Sequence, residues 1–214
     1  MATNDFSMDH QWLPFTPNRA FAKDPRVFVA ADGMEFTTHD GRKVIDGISS
    51  LWCVAAGHRR KPINEAIKKQ LDTLDYATAF QASNDRAFQA ADAIAAMAPG
   101  DLNKVLFCNS GSEAADTSLK LALAYHRARG EGHRNVFIGR EKGYHGVGFG
   151  GMSVGGIPAN RKVFGAALLP RVDHLRFIHD PANAYIHNAE PESKEDFLLE
   201  LENRILPLHD PSNV

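Results

Sequence analysis

KVLFCNSGSEA, residues 104–114, joins a short apolar run to a glycine flanked by two serines. An apolar run of the length of Lys104–Cys108 suits a buried strand. Ser110-Gly111-Ser112-Glu113 then starts a helix that carries Leu121, Tyr125 and Ala128 along one side. The first turn of a helix leaves N–H groups unpaired and carries a partial positive charge, so it can hold a phosphate. Gly111 permits close approach to the backbone, and Ser110 and Ser112 add hydroxyl donors. Ser110-x-x-Glu113 also matches a capping box, and capping alone would account for the serines. No Gly-Lys-Ser/Thr follows, the glycine spacing is not that of a dinucleotide site, and Ser110 lacks the G-x-S-x-G setting of a hydrolase nucleophile. The segment therefore suggests a phosphorylated ligand without naming it.

Working outward, Asn135–Gly139 (NVFIG) predicts the next strand, and a glycine-rich loop runs from Gly143 to Gly156. Weaker strand signals lie near Ala167–Leu169 and Leu175–Ile178. A last helix is predicted to open near Ser193, carry Phe197, Leu201 and Ile205, and end before Pro207. Upstream, Ile63, Ile67, Leu71 and Leu74 repeat at helical spacing behind Pro62. Phe88, Ala91, Ala95 and Ala98 mark a second helix, opened near Asn84 or Asp85 and stopped by Pro99-Gly100. Three extended runs, Val27–Ala30, Met34–Thr38 and Lys43–Asp46, are punctuated by Asp32-Gly33 and Asp40-Gly41, which predicts a small β-meander. Residues 1–22 are aromatic and proline-broken, an extended arm. Strands alternating with helices from about residue 60 predict an α/β fold with a mostly parallel sheet. The expected division is residues 1–60, arm and meander, and residues 61–214, the first part of a larger α/β domain.

Composition excludes several functions. The 24 Lys and Arg against 26 Asp and Glu give a net charge of -2, so no basic field points to nucleic acid. No run of 18 apolar residues suggests a membrane helix, and the first residues lack a signal-peptide pattern. Cys53 and Cys108 fit no zinc spacing and are expected as buried thiols in a reducing compartment, the cytoplasm. Ten histidines include no H-x-x-x-H, so no metal site is expected.

Gly143-Tyr144-His145-Gly146 places an aromatic ring between turn glycines, where it could face a flat electron-poor ligand or simply be a half-buried loop residue. Three segments in order, DGISSLWCVAAGH (46–58), NSGSEA (109–114) and GYHG (143–146), resemble the class III, pyridoxal-phosphate-dependent aminotransferases of fold type I. HQWLPFTP (10–17) with SLWCVAAGH is similar to the ω-amino acid:pyruvate branch, which includes the β-alanine–pyruvate transaminases.

That resemblance implies pyridoxal 5'-phosphate as cofactor. Ser110, Gly111 and Ser112 would hold its phosphate, Tyr144 would stack on its ring, and His145 would lie behind. Trp52 and Phe15 would line the amino-donor pocket, with core packing as their other reading. Phe80 lies where relatives reach toward the partner subunit's site. The family moves an amino group from an ω-amino acid or amine to pyruvate, and works as a homodimer. Its Schiff-base lysine, its pyridine-facing aspartate and its carboxylate-binding arginine belong to the family's second half. Lys104, Lys120 and Lys142 stand in no matching motif. The chain is thus expected to be the N-terminal half of such an enzyme, inactive alone. Within the class the alternative is an ornithine-type aminotransferase or aminomutase. Outside it the alternative is a non-catalytic fragment, or a split half that binds ligand or a complementary chain.

Overall fold

The computed structural model describes residues 6–177 and 199–214, so the predicted start of the last helix near Ser193, with Phe197, lies outside the described residues. The chain forms two compact units, Met1–Asp92 and Ala93–Val214.

In the first unit a single turn, α1 (Asn18–Phe21), follows the aromatic arm. Three strands come next: β1 (Phe28–Asp32), β2 (Glu35–Thr38) and β3 (Lys43–Ile45). They pair antiparallel in the order β1-β2-β3, the predicted meander. Asp32 faces Glu35 across a two-residue Gly33-Met34 loop, and Gly33 takes the positive φ of 56° that such a tight hairpin requires. A short turn, α2 (Ser49–Trp52), leads through Gly57-His58 to α3 (Lys61–Leu71), which has Pro62 in its first turn. Ile63, Ile67 and Leu71 do form one apolar stripe on α3, and it is exposed. α4 (Asp85–Met97) is capped by Asn84, whose side-chain oxygen accepts the Ala87 N–H at 2.9 Å.

The second unit departs from the sequence reading at two predicted strands. Lys104–Cys108 is extended but pairs with no strand, and Leu106 and Phe107 are 61% and 54% exposed. Apolar character alone cannot create a strand; a ladder partner is needed, and none is present among the described residues. Residues 167–169 likewise form the end of a 3-10 turn and an extended link in place of a strand.

α5 (Gly111–Ala128) starts at the predicted residue. After it come β4 (Phe137–Arg140), α6 (Phe149–Val154), α7 (Pro158–Phe164) and β5 (Val172–Leu175). β4 and β5 pair in parallel with Phe137 facing Val172 and Arg140 facing Leu175, a βαβ unit whose crossover contains α6 and α7. The closing residues form a π-helical turn, Leu201–Ile205, and two 3-10 turns. They dock just ahead of β4, where the Asn135 and Val136 N–H groups donate to the Asn213 carbonyl at 2.9 and 3.0 Å. Val136, Val154 and Ile205 are the buried apolar side chains among the described residues. Cys53 is exposed and Cys108 half-buried, contrary to the expectation of two buried thiols, because the described residues cover neither fully. No helix among the described residues is long and apolar enough to cross a membrane.

Candidate functional site

Ser110 is the N-cap of α5. Its backbone is extended, and its Oγ accepts the Glu113 N–H at 3.1 Å. The Glu113 carboxylate reaches back to the N–H of Asn109 at 2.8 Å and to its side-chain amide at 3.1 Å, one residue before the partner a capping box would use. The capping reading of the serine is thus realised. It still leaves the N–H groups of Gly111 and Ser112 without an intrahelical acceptor, because helix geometry provides none in the first turn. A Cβ on Gly111 would meet nothing within 4 Å, so the space beside that residue is open. An anion of phosphate size fits these donors and the positive end of an 18-residue helix.

The glycine-rich loop is fastened to the same helix start. The Val147 N–H donates to Ser112 Oγ at 3.0 Å. Gly146, with φ of 102°, lies so close to Ser112 that a Cβ there would fall 2.5 Å from the Ser112 Cα. One turn further along α5, Asp116 Oδ1 accepts the Gly151 N–H at 2.6 Å. Gly150, Gly151, Gly155 and Gly156 are buried, and Cβ atoms at Gly151 and Gly156 would collide with the His145 and Arg140 carbonyl oxygens. These glycines therefore serve close backbone packing. The result is that Ser110, Gly111 and Ser112 are brought together with Tyr144 and His145. Tyr144 is 55% exposed as a residue, and a small hollow adjoins it, lined by Gly143, His145, Met152, Ile157 and Asn160 among others. A flat ligand has room to lie on an open aromatic face of this kind.

Phe15, Trp52 and Phe80 belong to the first unit, each about four-fifths exposed. Phe15 and Trp52 both have positive φ, 49° and 72°. A cleft of about 790 Å³ in the arm is lined by Phe6, Trp12, Leu13, Phe21 and Phe28, and Phe15 is not one of its walls. Three residues escaped the sequence reading. Asp116 carries the loop on its carboxylate; its one signal was an acidic side chain within helical reach of a segment built of glycines. Asp46 and His58 lie 2.9 Å apart at the two ends of the DGISSLWCVAAGH segment, and only their bracketing of it hinted at the pairing. Among the described residues no group of three or more His, Cys, Asp or Glu side chains could hold a metal ion.

A profile of the family described as Aminotransferase class-III matches residues 19–207. The chain is 51% identical over 207 residues to an omega-aminotransferase of Caulobacter vibrioides, covering 97% of this chain and 47% of that protein. It is 45% identical to a beta-alanine–pyruvate aminotransferase of Pseudomonas aeruginosa, covering 99% and 47%. Among solved structures it superposes with a TM-score of 0.83 on an amine transaminase from an uncultivated Pseudomonas species in its PLP-bound form, at 31% identity over 96% of this chain and 46% of that one. The chain thus spans about half the length of the curated relatives it matches.

Proposed function

The chain belongs to the class III aminotransferases, close to the ω-amino acid–pyruvate aminotransferases, and from that premise we propose that it supplies the phosphate- and ring-binding side of an enzyme using pyridoxal phosphate to pass an amino group from an ω-amino acid of the β-alanine type, or an amine, to pyruvate. The observation that carries this reading is the Val147–Ser112 hydrogen bond, which fastens the Tyr144 loop to an open helix N-terminus. When bound, pyridoxal phosphate supplies the electron sink for amino transfer. Ser110, Gly111 and Ser112 hold its phosphate through N–H and O–H donors. Tyr144 lies against its ring with His145 beside it, fixing the plane and excluding water from that face. Trp52 and Phe15 wall the amino-donor pocket, and Phe80 serves the partner subunit's site in a homodimer. The division into residues 1–60 and 61–214, small and large domain, and a cytoplasmic location complete the proposal.

Residues 1–214 alone carry no lysine in a motif that matches the family's covalent nucleophile. On this proposal they bind the cofactor phosphate without turnover. The test has two arms. The complete protein carrying this chain is given β-alanine, pyruvate and pyridoxal phosphate, and alanine formation is measured. Transfer to 2-oxoglutarate but not to pyruvate would overturn the acceptor. Ser112→Ala and Tyr144→Ala should each weaken cofactor binding by about tenfold or more, by loss of a charge-assisted hydrogen bond or of ring contact. In the second arm, turnover by residues 1–214 alone would sink the half-site reading.

A further inference from the structure

Ser49, Ser50, Leu51 and Trp52 have φ of 50°, 50°, 58° and 72°, four consecutive non-glycine residues in left-handed backbone. Such a conformation crowds each Cβ against the following carbonyl, so a run of four persists only where the surroundings over-determine it. One carboxylate does so here. Asp46 Oδ1 accepts the Ser50 N–H at 2.8 Å and the Ile48 N–H at 3.4 Å. Its Oδ2 accepts the Ser50 hydroxyl at 2.9 Å and His58 Nε2–H at 2.9 Å. The Asp46 side chain is only 5% exposed and that of His58 13%. The Ser50 N–H, with the His58 ring and the Ser50 hydroxyl, holds the Asp46 carboxyl down at about 2 against its burial, so it is ionised throughout the working range.

His58 in turn is fixed to the β-meander. It exchanges backbone hydrogen bonds with Gly33 at 2.7 and 3.2 Å, and its ring lies 4.5 Å from that of Phe36. Gly57 has a φ of 90°, and a Cβ there would fall 3.3 Å from the Gly33 carbonyl oxygen. The turn therefore hangs from the sheet through a two-member clasp.

We propose that Asp46 and His58 are positioning residues that hold the left-handed turn Ser49–Trp52, and so set the direction of the Trp52 side chain and the width of the amino-donor pocket. The proposal rests on the reading of Trp52 as a wall of that pocket. Neither residue touches the donor; each acts through the backbone that carries Trp52.

The test uses the cofactor-loaded protein that carries this chain, and compares kcat/KM for 1-phenylethylamine with kcat/KM for β-alanine. Asp46→Asn should shift this ratio by about tenfold, since small displacements of positioning groups have effects of that order. In a Trp52→Gly background the same substitution should shift it by less than about twofold. Hydrogen exchange at residues 48–52 should quicken by about tenfold in Asp46→Asn whatever the substrate. Should Asp46→Asn not fold, His58→Phe, which removes one donor and keeps a ring against Phe36, is read in the same way. A ratio that moves with Trp52→Gly but not with Asp46→Asn overturns the clasp and leaves the pocket wall standing. Equal shifts in both backgrounds also overturn it. A ratio indifferent to Trp52→Gly overturns the pocket wall, and the clasp's role with it.

Discussion

Residues 143–156 and residues 46–58 each carry an aromatic ring open to solvent, Tyr144 in one and Trp52 in the other. In the first, side chains are deleted: glycines bring loop backbone into direct contact with α5, and Ser112 and Asp116 catch its N–H groups. In the second, side chains are kept and the backbone is forced, four residues into left-handed φ, with Asp46 collecting the donors. The first design gains its rigidity from steric closeness, which tolerates no added atom. The second gains it from hydrogen bonds to one charge, which tolerate atoms but depend on that charge.

The sharpest way to break this contrast is Gly146→Ala. The new Cβ would meet Ser112 at 2.5 Å and sit on a φ of 102°. Overpacking plus backbone strain should cost about 3 kcal/mol, read as a lower denaturant midpoint. A tolerated alanine would show that closeness is not what holds the loop. Asp116→Ala should come next, about 1.5–3 kcal/mol, through loss of the charge-assisted bond to the Gly151 N–H. Faster hydrogen exchange in residues 143–156 would localise that loss. Ser110→Ala, which removes the cap on Glu113, should cost about 1 kcal/mol, while Ser110→Gly should cost a few tenths. Thermal melts of the two side by side separate capping from chain stiffness.

In the other region the expected sign reverses. Ser49→Gly should stabilise by about 0.5 kcal/mol, because relief of about 1–2 kcal/mol of left-handed crowding exceeds the extra unfolded-state entropy of glycine. Destabilisation there would mean the turn is not strained. The pH response of Asp46 should appear only in acid. Its folded pKa, about 2, lies below the ordinary 3.8. Its contribution is therefore complete above 3.8 and lost as pH falls toward about 2. Asp46→Asn should flatten the stability curve in that window, and an unchanged acid limb would contradict the carboxylate's role.

How far these regions could be read from sequence follows from the range of the forces involved. The meander was legible because Asp32-Gly33 and Asp40-Gly41 encode turns within a few residues. α5 was legible because Ser110 and Glu113 cap it locally, at the residue predicted. NSGSEA and GYHG pointed to one site, yet their meeting through Gly146 and Ser112 is a contact between residues 34 apart in sequence, and no local pattern announces it. KVLFC misled for the converse reason. Leu106 and Phe107 carry the composition of a buried strand, but burial and pairing are properties of what lies beside them. The left-handed turn was invisible, since Ser-Ser-Leu-Trp has no residue that favours it and Asp46 imposes it from outside.

Ser112 has a single hydroxyl proton, and one lone pair of its oxygen is taken by the Val147 N–H. The proton and a second lone pair remain for a ligand. A dianionic phosphate, all acceptor, can take that proton, and the partial positive charge of the helix start favours such an anion over an ammonium group. The bond that fastens the ring-bearing loop and the anchor for an anion thereby share one oxygen, so that the orientation of the aromatic face and the placing of the donated proton are coupled.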